Sequence, residues 1–390
     1  MSSSLAAVLG GAAGAVGLVV ILVIFLWYCL SRDRSISRTS ETGSSDPSLQ
    51  VGRNVGIGLP HRGASLSSDS QGTRRFSLEE LVSATKNFSE INMIGVGKFG
   101  EVYKGLLHDG MIVAIKKRLG PPCQEFIEEV LYLSSVRHRH IVSLLGYCQE
   151  SELQMLVYEY IPNGSVSSHL YGTVQLSNEK LEFKHRLSIA LGAARGLAYL
   201  HSMNPPLLHR EFSTRNILVD ENFIAKVADT GLRNLLSRID PAASSSQLVG
   251  DDDIFLDPEV KESGRFVEKS DVYSFGVFLF ELLSGREAVQ SKHLESNQSM
   301  GQWVQAHQDS NDIATIVDPR LISSFTAESM GEFVNLTLGC LFPSGDRRPA
   351  MSYVVAEIDR ILEKEINLTT VMGEETPTVT LGSQLFTASR

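Results

Sequence analysis

The sequence predicts an α+β fold of two lobes, a small strand-rich one and a larger helical one, preceded by one transmembrane helix and a disordered linker. Three observations carry this reading. Residues 5–30 form an uncharged apolar run. Residues 31–75 are serine-rich and lack apolar periodicity. From Phe76 onward, short strand-like runs come first and long helical periods follow.

The first element is the expected span. A helix over 5–30 would be about 39 Å long, more than the ~30 Å hydrocarbon core. Trp27 and Tyr28 stand at its end, where an interfacial aromatic belt forms, and Arg32, Arg34 and Arg38 follow at once. The positive-inside bias then puts everything after the span in the cytoplasm. The rival reading, a cleaved signal peptide, lacks a basic leader and a small-residue cleavage site. Gly10 and Gly14 form a GxxxG pair that can bring two helices together, although small residues are common in membrane helices without any dimer. Only residues 1–4 precede the span, so an external signal is expected to arrive through a partner and not by direct sensing.

The linker holds eleven serines and three threonines between residues 31 and 76. Such a segment cannot bury enough apolar surface to offset chain entropy. Its net charge is weakly positive, while the whole chain carries −10, so the folded part is acidic. That balance argues against nucleic acid as a partner. The four cysteines (Cys29, Cys123, Cys148 and Cys340) have no CxxC spacing, which excludes a disulfide framework and a zinc ribbon.

In the folded part, Ser77 and Glu80 have the spacing of a capping box and open a short helix through Thr85. Strands are expected at 91–96, 100–105 and 111–117, a helix at 124–136, and strands at 141–148 and 154–160. Pro162-Asn163-Gly164 marks the connection between the lobes. Helices follow at 182–202, 271–283, 300–309, 328–341 and 350–365. This divides the fold into a small lobe, 76–161, and a large lobe, 162–364. The Thr-rich stretch 365–390 is expected to be a disordered tail.

Chemistry-bearing residues lie at fixed offsets along this frame. Gly95, Gly97 and Gly100 make a GxGxxG turn between two strands, where backbone amides can approach phosphates without an intervening Cβ. A strand follows and not a helix, so this is no dinucleotide fingerprint. Lys116 follows in Val113-Ala114-Ile115-Lys116, and Glu129 lies on the next helix. Each could be an ordinary solvated charge; together, in this order, they match a phosphate-binding lysine and its carboxylate partner. Then come His209-Arg210-Glu211 with Asn216, Asp229-Thr230-Gly231, Leu256-Asp257-Pro258-Glu259, Ser270-Asp271-Val272-Tyr273, and Arg348-Pro349.

On these motifs the sequence resembles a eukaryotic protein kinase. It is most similar to the plant receptor-like kinases, relatives of the interleukin-receptor-associated kinases. The entry Phe76-Ser77-Leu78-Glu79-Glu80-Leu81 and Tyr158 at the gatekeeper position fit that group. The resemblance covers 76–364 and implies a bilobal kinase fold with ATP and Mg²⁺ as cofactors. It implies that Gly95, Gly97 and Gly100 cover the phosphates, and that Ile94, Val102, Ala114 and Leu218 enclose the adenine. It further implies a Lys116–Glu129 ion pair and Asn216 and Asp229 as metal ligands. Asp271 would brace the catalytic loop, and Glu259 would pair with a buried Arg348. At family level the expected place is the plasma membrane.

Four positions depart from the family pattern around one chemical step. Glu211 replaces the catalytic aspartate and is longer by one methylene, and a displacement near 1 Å can cost about 10²-fold. Ser213 stands where serine/threonine kinases carry a lysine that meets developing negative charge. Thr230 replaces an aromatic ring expected to pack under His209 and Leu133. Asp252, within Asp251 to Asp253, falls where a hydroxyl should bond the catalytic loop; the acidic run can also mimic a phosphate by pairing with Arg210. The expected function is a membrane-anchored pseudokinase. It would bind ATP and act as a scaffold or allosteric partner of an active receptor kinase or signalling protein. The alternative is a weak serine/threonine kinase using Glu211 as base.

Overall fold

The computed structural model describes residues 73–171, 181–240, 254–290, 299–309, 313–322 and 324–372. The expected span with its Gly10–Gly14 pair, the linker before Thr73, the acidic run Asp251 to Asp253 and the final eighteen residues lie outside them. Among the described residues no helix is long and apolar enough to cross a membrane.

The small lobe begins with β1 (Arg74–Arg75), a two-residue strand. Next is α1 (Leu78–Ala84), whose N-cap Ser77 accepts from the Glu80 amide at 3.2 Å, as the capping-box spacing predicts. Then come β2 (Met93–Val96), β3 (Glu101–Leu106), β4 (Ile112–Leu119), α2 (Gln124–Ser134), β5 (Leu144–Glu150) and β6 (Leu153–Glu159). The six strands form one sheet in the order β1-β5-β6-β4-β3-β2. All pairs are antiparallel except β1 with β5. Phe76 fixes β1 by burying its ring and donating its amide to the Tyr147 carbonyl at 2.8 Å. Gly146 makes room there, because a Cβ would overlap the Arg74 carbonyl.

The alternation of β4 decides what each sheet face does. Val113 and Ile115 are fully buried with Phe76, Leu81, Met155 and Val157. Ala114 and Lys116 therefore point the other way, into the cleft.

The large lobe contains α3 (Val166–Tyr171), α4 (Phe183–Ser202), the hairpin β7 (Ile217–Val219) and β8 (Ala225–Val227), α5 (Leu232–Ile239), α6 (Pro258–Ser263), α7 (Glu268–Ser284), α8 (Met300–Asp309), α9 (Ala327–Cys340) and α10 (Met351–Met372). Every residue of α7 from Ser270 to Ser284 is buried, so α7 is the axis about which the lobe packs. The apolar cluster around it continues through Phe212 and Leu133 into the small lobe. The expected elements are found close to their expected bounds, while the short β1, α3, β7, β8 and α6 had no counterpart in the sequence reading, and two further differences matter more. First, α10 runs to Met372, past the expected limit of 364. Glu365 is the reason: its buried carboxylate accepts from the Thr326 amide at 3.1 Å and from the Thr326 hydroxyl at 2.7 Å, which ties down the last turns. Second, α5 was not expected at all, and it reorganises the site.

His140 links the lobes beneath β8. Its Nδ1–H donates to the Ala225 carbonyl at 2.9 Å, and its buried Nε2 has no partner. Burial lowers its pKa from 6.5 to about 4. The unfolded chain therefore takes up this proton first as pH falls below about 6.5. Stability should drop by roughly 3 kcal/mol between there and about pH 4. Urea unfolding at both ends of that window checks this. His140→Asn, whose amide nitrogen takes the Nδ1 position and can keep the bond to Ala225, should flatten the dependence.

Candidate functional site

A cavity of about 980 Å³ lies between the lobes. The β2–β3 turn roofs it with Gly95 and Gly97, at each of which a Cβ would meet open space. Gly100 does a different job: its φ is +145° and a Cβ would strike the Lys117 carbonyl, so it fixes the turn against β4. Ile94, Val102, Ala114 and Leu218 line the same cavity, with Tyr158 at its back. The Tyr158 hydroxyl is buried without a partner, and burial pushes its pKa upward. Lys116, Glu211, Asn216 and Asp229 complete the wall. Of the residues expected to hold nucleotide or metal, or to act as base, all but Gly100 and Glu129 are in this lining.

The catalytic-loop frame is intact. From the start of α7, Asp271 accepts the amides of His209 and Arg210, both at 2.8 Å. His209 in turn is bonded to the Ala228 carbonyl at 2.9 Å. Arg210 and Asp229 take left-handed backbone conformations, with φ of 63° and 62°. Asn216 donates its side-chain amide to the Glu211 carbonyl at 2.9 Å.

The charged groups are partnered differently from the expectation. Lys116 is not paired with Glu129; it is ion-paired with Asp229. Glu129 is held instead by Arg238 of α5, at 2.7 Å. The cause is the packing of α5 against α2. Leu232, Leu235 and Leu236 are buried, and Gly231, at the head of α5, sits so close to Leu133 that a Cβ would overlap it. Arg118 of β4 adds a contact to Asp240 at 3.3 Å. The nearby Glu129 carboxylate holds the Arg238 guanidinium above its usual pKa.

Glu211 is also engaged. Its Oε1 accepts from Lys98 of the glycine turn at 2.9 Å and from Arg233 of α5 at 3.2 Å. This one carboxylate oxygen thus joins the glycine turn, through Lys98, to α5, through Arg233. Thr230 brings no ring to this junction, and its buried hydroxyl has no partner.

The expected Glu259–Arg348 pair is likewise replaced. Arg348 binds Asp257 through two bonds of 2.6 and 2.8 Å, with side-chain exposures of 0% and 1%. Glu259 accepts the Gly345 amide at 2.9 Å. Asp257 wins because it caps α6, accepting the Glu259 amide at 3.0 Å, and so faces the guanidinium squarely.

The cavity fits a nucleotide: apolar walls for a base and open glycine positions for phosphates. Both expected Mg²⁺ ligands stand in its wall: Asn216 spends its amide nitrogen on the Glu211 carbonyl, which leaves Oδ1 to ligate, and Asp229 meets Lys116 through Oδ1 alone, so the two would supply oxygens to a cation.

Over residues 88–358 the sequence matches the family described as protein tyrosine and serine/threonine kinase. The chain belongs to this protein kinase family. Among relatives, the chain is similar to the Arabidopsis thaliana receptor-like protein kinase HERK 1, at 36% identity over 98% of this chain and 47% of that one. ANXUR2 of the same plant is 37% identical over 91% of this chain and 42% of its own length. The chain thus spans less than half the length of these two receptor-like kinases. A solved structure, the pseudokinase domain of BIR2, described as an immune regulator of the RLK/Pelle family, superposes with a TM-score of 0.61. It is 32% identical and covers 74% of this chain and 86% of that one.

Sequence reasoning placed the pocket of this kinase domain but missed Lys98, Arg233, Arg238 and the role of Asp257. For α5 a signal was present. Leu232, Leu235, Leu236 and Ile239 repeat at i, i+3, i+4 and i+7, with Arg233 and Arg238 between them.

Proposed function

We propose that this is a membrane-anchored receptor-like kinase domain that binds nucleotide but transfers phosphate poorly or not at all. It would serve as a scaffold or allosteric partner for an active receptor kinase or signalling protein. One observation carries the reading: Glu211, at the position of the catalytic base, has Oε1 engaged by both Lys98 and Arg233. A substrate hydroxyl would have to displace a cation to reach that oxygen, and Ser213 supplies no charge for the transferred phosphoryl group. The capture of Glu129 by Arg238 supports the same conclusion, since Lys116 then lacks the partner that positions it. Likeness to a pseudokinase structure agrees with it.

Transfer of label from γ-³²P-ATP to the chain and to a generic protein substrate is the direct test. The full chain and its Lys116→Met variant should give the same background. A signal that Lys116→Met removes would instead establish the weak kinase using Glu211.

A further inference from the structure

We propose that the Lys98–Glu211 ion pair is a latch across the edge of the cleft, and that it sets how fast a nucleotide enters and leaves. This rests on the nucleotide-binding reading above and adds the control of exchange at that site.

The argument starts from the glycine turn. Gly97 and Gly100 exchange backbone bonds of 2.8 and 3.1 Å, so Lys98 and Phe99 alone stand at its tip. Both tip side chains are anchored. Phe99 is buried in the apolar cluster that contains Phe126 and Leu133 of α2. The Arg118 guanidinium lies 5.8 Å from its ring centroid, and Arg118 is tied in turn to Asp240. Lys98 is anchored to Glu211 at 2.9 Å. The turn therefore cannot lift without breaking an ion pair.

The pair also stands where a gate must stand. Lys98 belongs to the small lobe and Glu211 to the large one, and both line the cavity. The lysine side chain is 44% exposed and the carboxylate side chain 11%, so the pair crosses the cavity at its solvent edge. Arg233 shares the same oxygen at 3.2 Å and holds the carboxylate in place, so closing the latch orders the lysine alone. With the pair made, the cavity still measures about 980 Å³, room enough for a nucleotide. Latch and ligand are thus compatible, and a triphosphate crossing that edge needs the pair open. The open fraction then scales entry and exit alike.

The test mixes the full 390-residue chain with N-methylanthraniloyl-ATP and MgCl₂ in stopped flow, and reads both rate constants. Lys98→Met, a change at an exposed position of a surface turn, should raise association and dissociation alike. Each should rise about fivefold, the loss of one partly exposed ion pair, while Kd moves by less than about twofold. Beside Glu211→Gln, which removes the charge and keeps the size, Lys98→Met should change neither rate further. Unchanged rates in Lys98→Met overturn the latch while leaving nucleotide binding in place. Faster dissociation with unaltered association overturns it too, because that pattern assigns Lys98 to the phosphates. An effect of Lys98→Met that persists in full beside Glu211→Gln does the same, since the lysine then acts on another group. Absence of binding by the unaltered chain overturns the nucleotide reading itself, and the latch with it.

Discussion

Arg348→Met is expected to destabilise the folded domain by about 3–5 kcal/mol, the cost of breaking a buried ion pair from one side. The melting temperature should fall by roughly 10 °C. The reason is what the methionine leaves behind. The guanidinium spends two bonds on Asp257 and three more on the carbonyls of Phe342, Pro343 and Lys269, at 2.7 to 2.9 Å. Methionine fills much of the volume but satisfies none of these acceptors, and Asp257 becomes a buried, unpaired carboxylate. Glu259→Gln is the discriminating control. Glu259 accepts a backbone amide from Gly345, and glutamine retains an acceptor for it, so the change should cost about 1 kcal/mol or less. Thermal and urea unfolding of both variants decide the matter. If Glu259→Gln proves as damaging as Arg348→Met, the arginine is paired with Glu259 in solution and Asp257 is a bystander.

Local patterns in the sequence announce most of the frame. The Ser77–Glu80 spacing, the alternation that sends Val113 and Ile115 into one core and Ala114 and Lys116 into the cleft, and the apolar length of α7 each follow from a period or a cap. Asp271 bracing the catalytic loop is equally legible, because it belongs to a motif whose parts lie in known order. Choices among equivalent charges are a different problem. Lys116 and Arg238 both could reach Glu129, and Asp257 and Glu259 both could reach Arg348. Sequence spacing permits either outcome. Packing settles it: the leucines of α5 bring Arg238 onto α2, and the cap of α6 aims Asp257 at the guanidinium. The two-residue strand β1 is illegible for a simpler reason, since two arginines carry no period; the burial of Phe76 and its amide bond to Tyr147 hold them to β5.

Restoring the catalytic loop alone is expected to fail. Glu211→Asp with Ser213→Lys returns the carboxylate to family length and supplies the missing cation. It does not move α5. Arg238 would still hold Glu129, and Lys116 would still rest on Asp229, so the group that should position the phosphates stays misplaced. A misplacement of that kind costs about 10²-fold. The double variant should therefore stay within about tenfold of background in a γ-phosphate transfer assay, judged against that penalty. Adding Arg238→Ala frees Glu129, and Lys116 can then exchange Asp229 for the family pairing. The triple variant should exceed the double by tenfold or more, approaching the 10²-fold that misplacement removed. Lys116→Met must abolish the gain, which separates a repaired site from a contaminating kinase. If the double variant already transfers phosphate at ordinary speed, the grip of α5 on Glu129 does not restrain the domain. The defect would then lie in Glu211 and Ser213 alone.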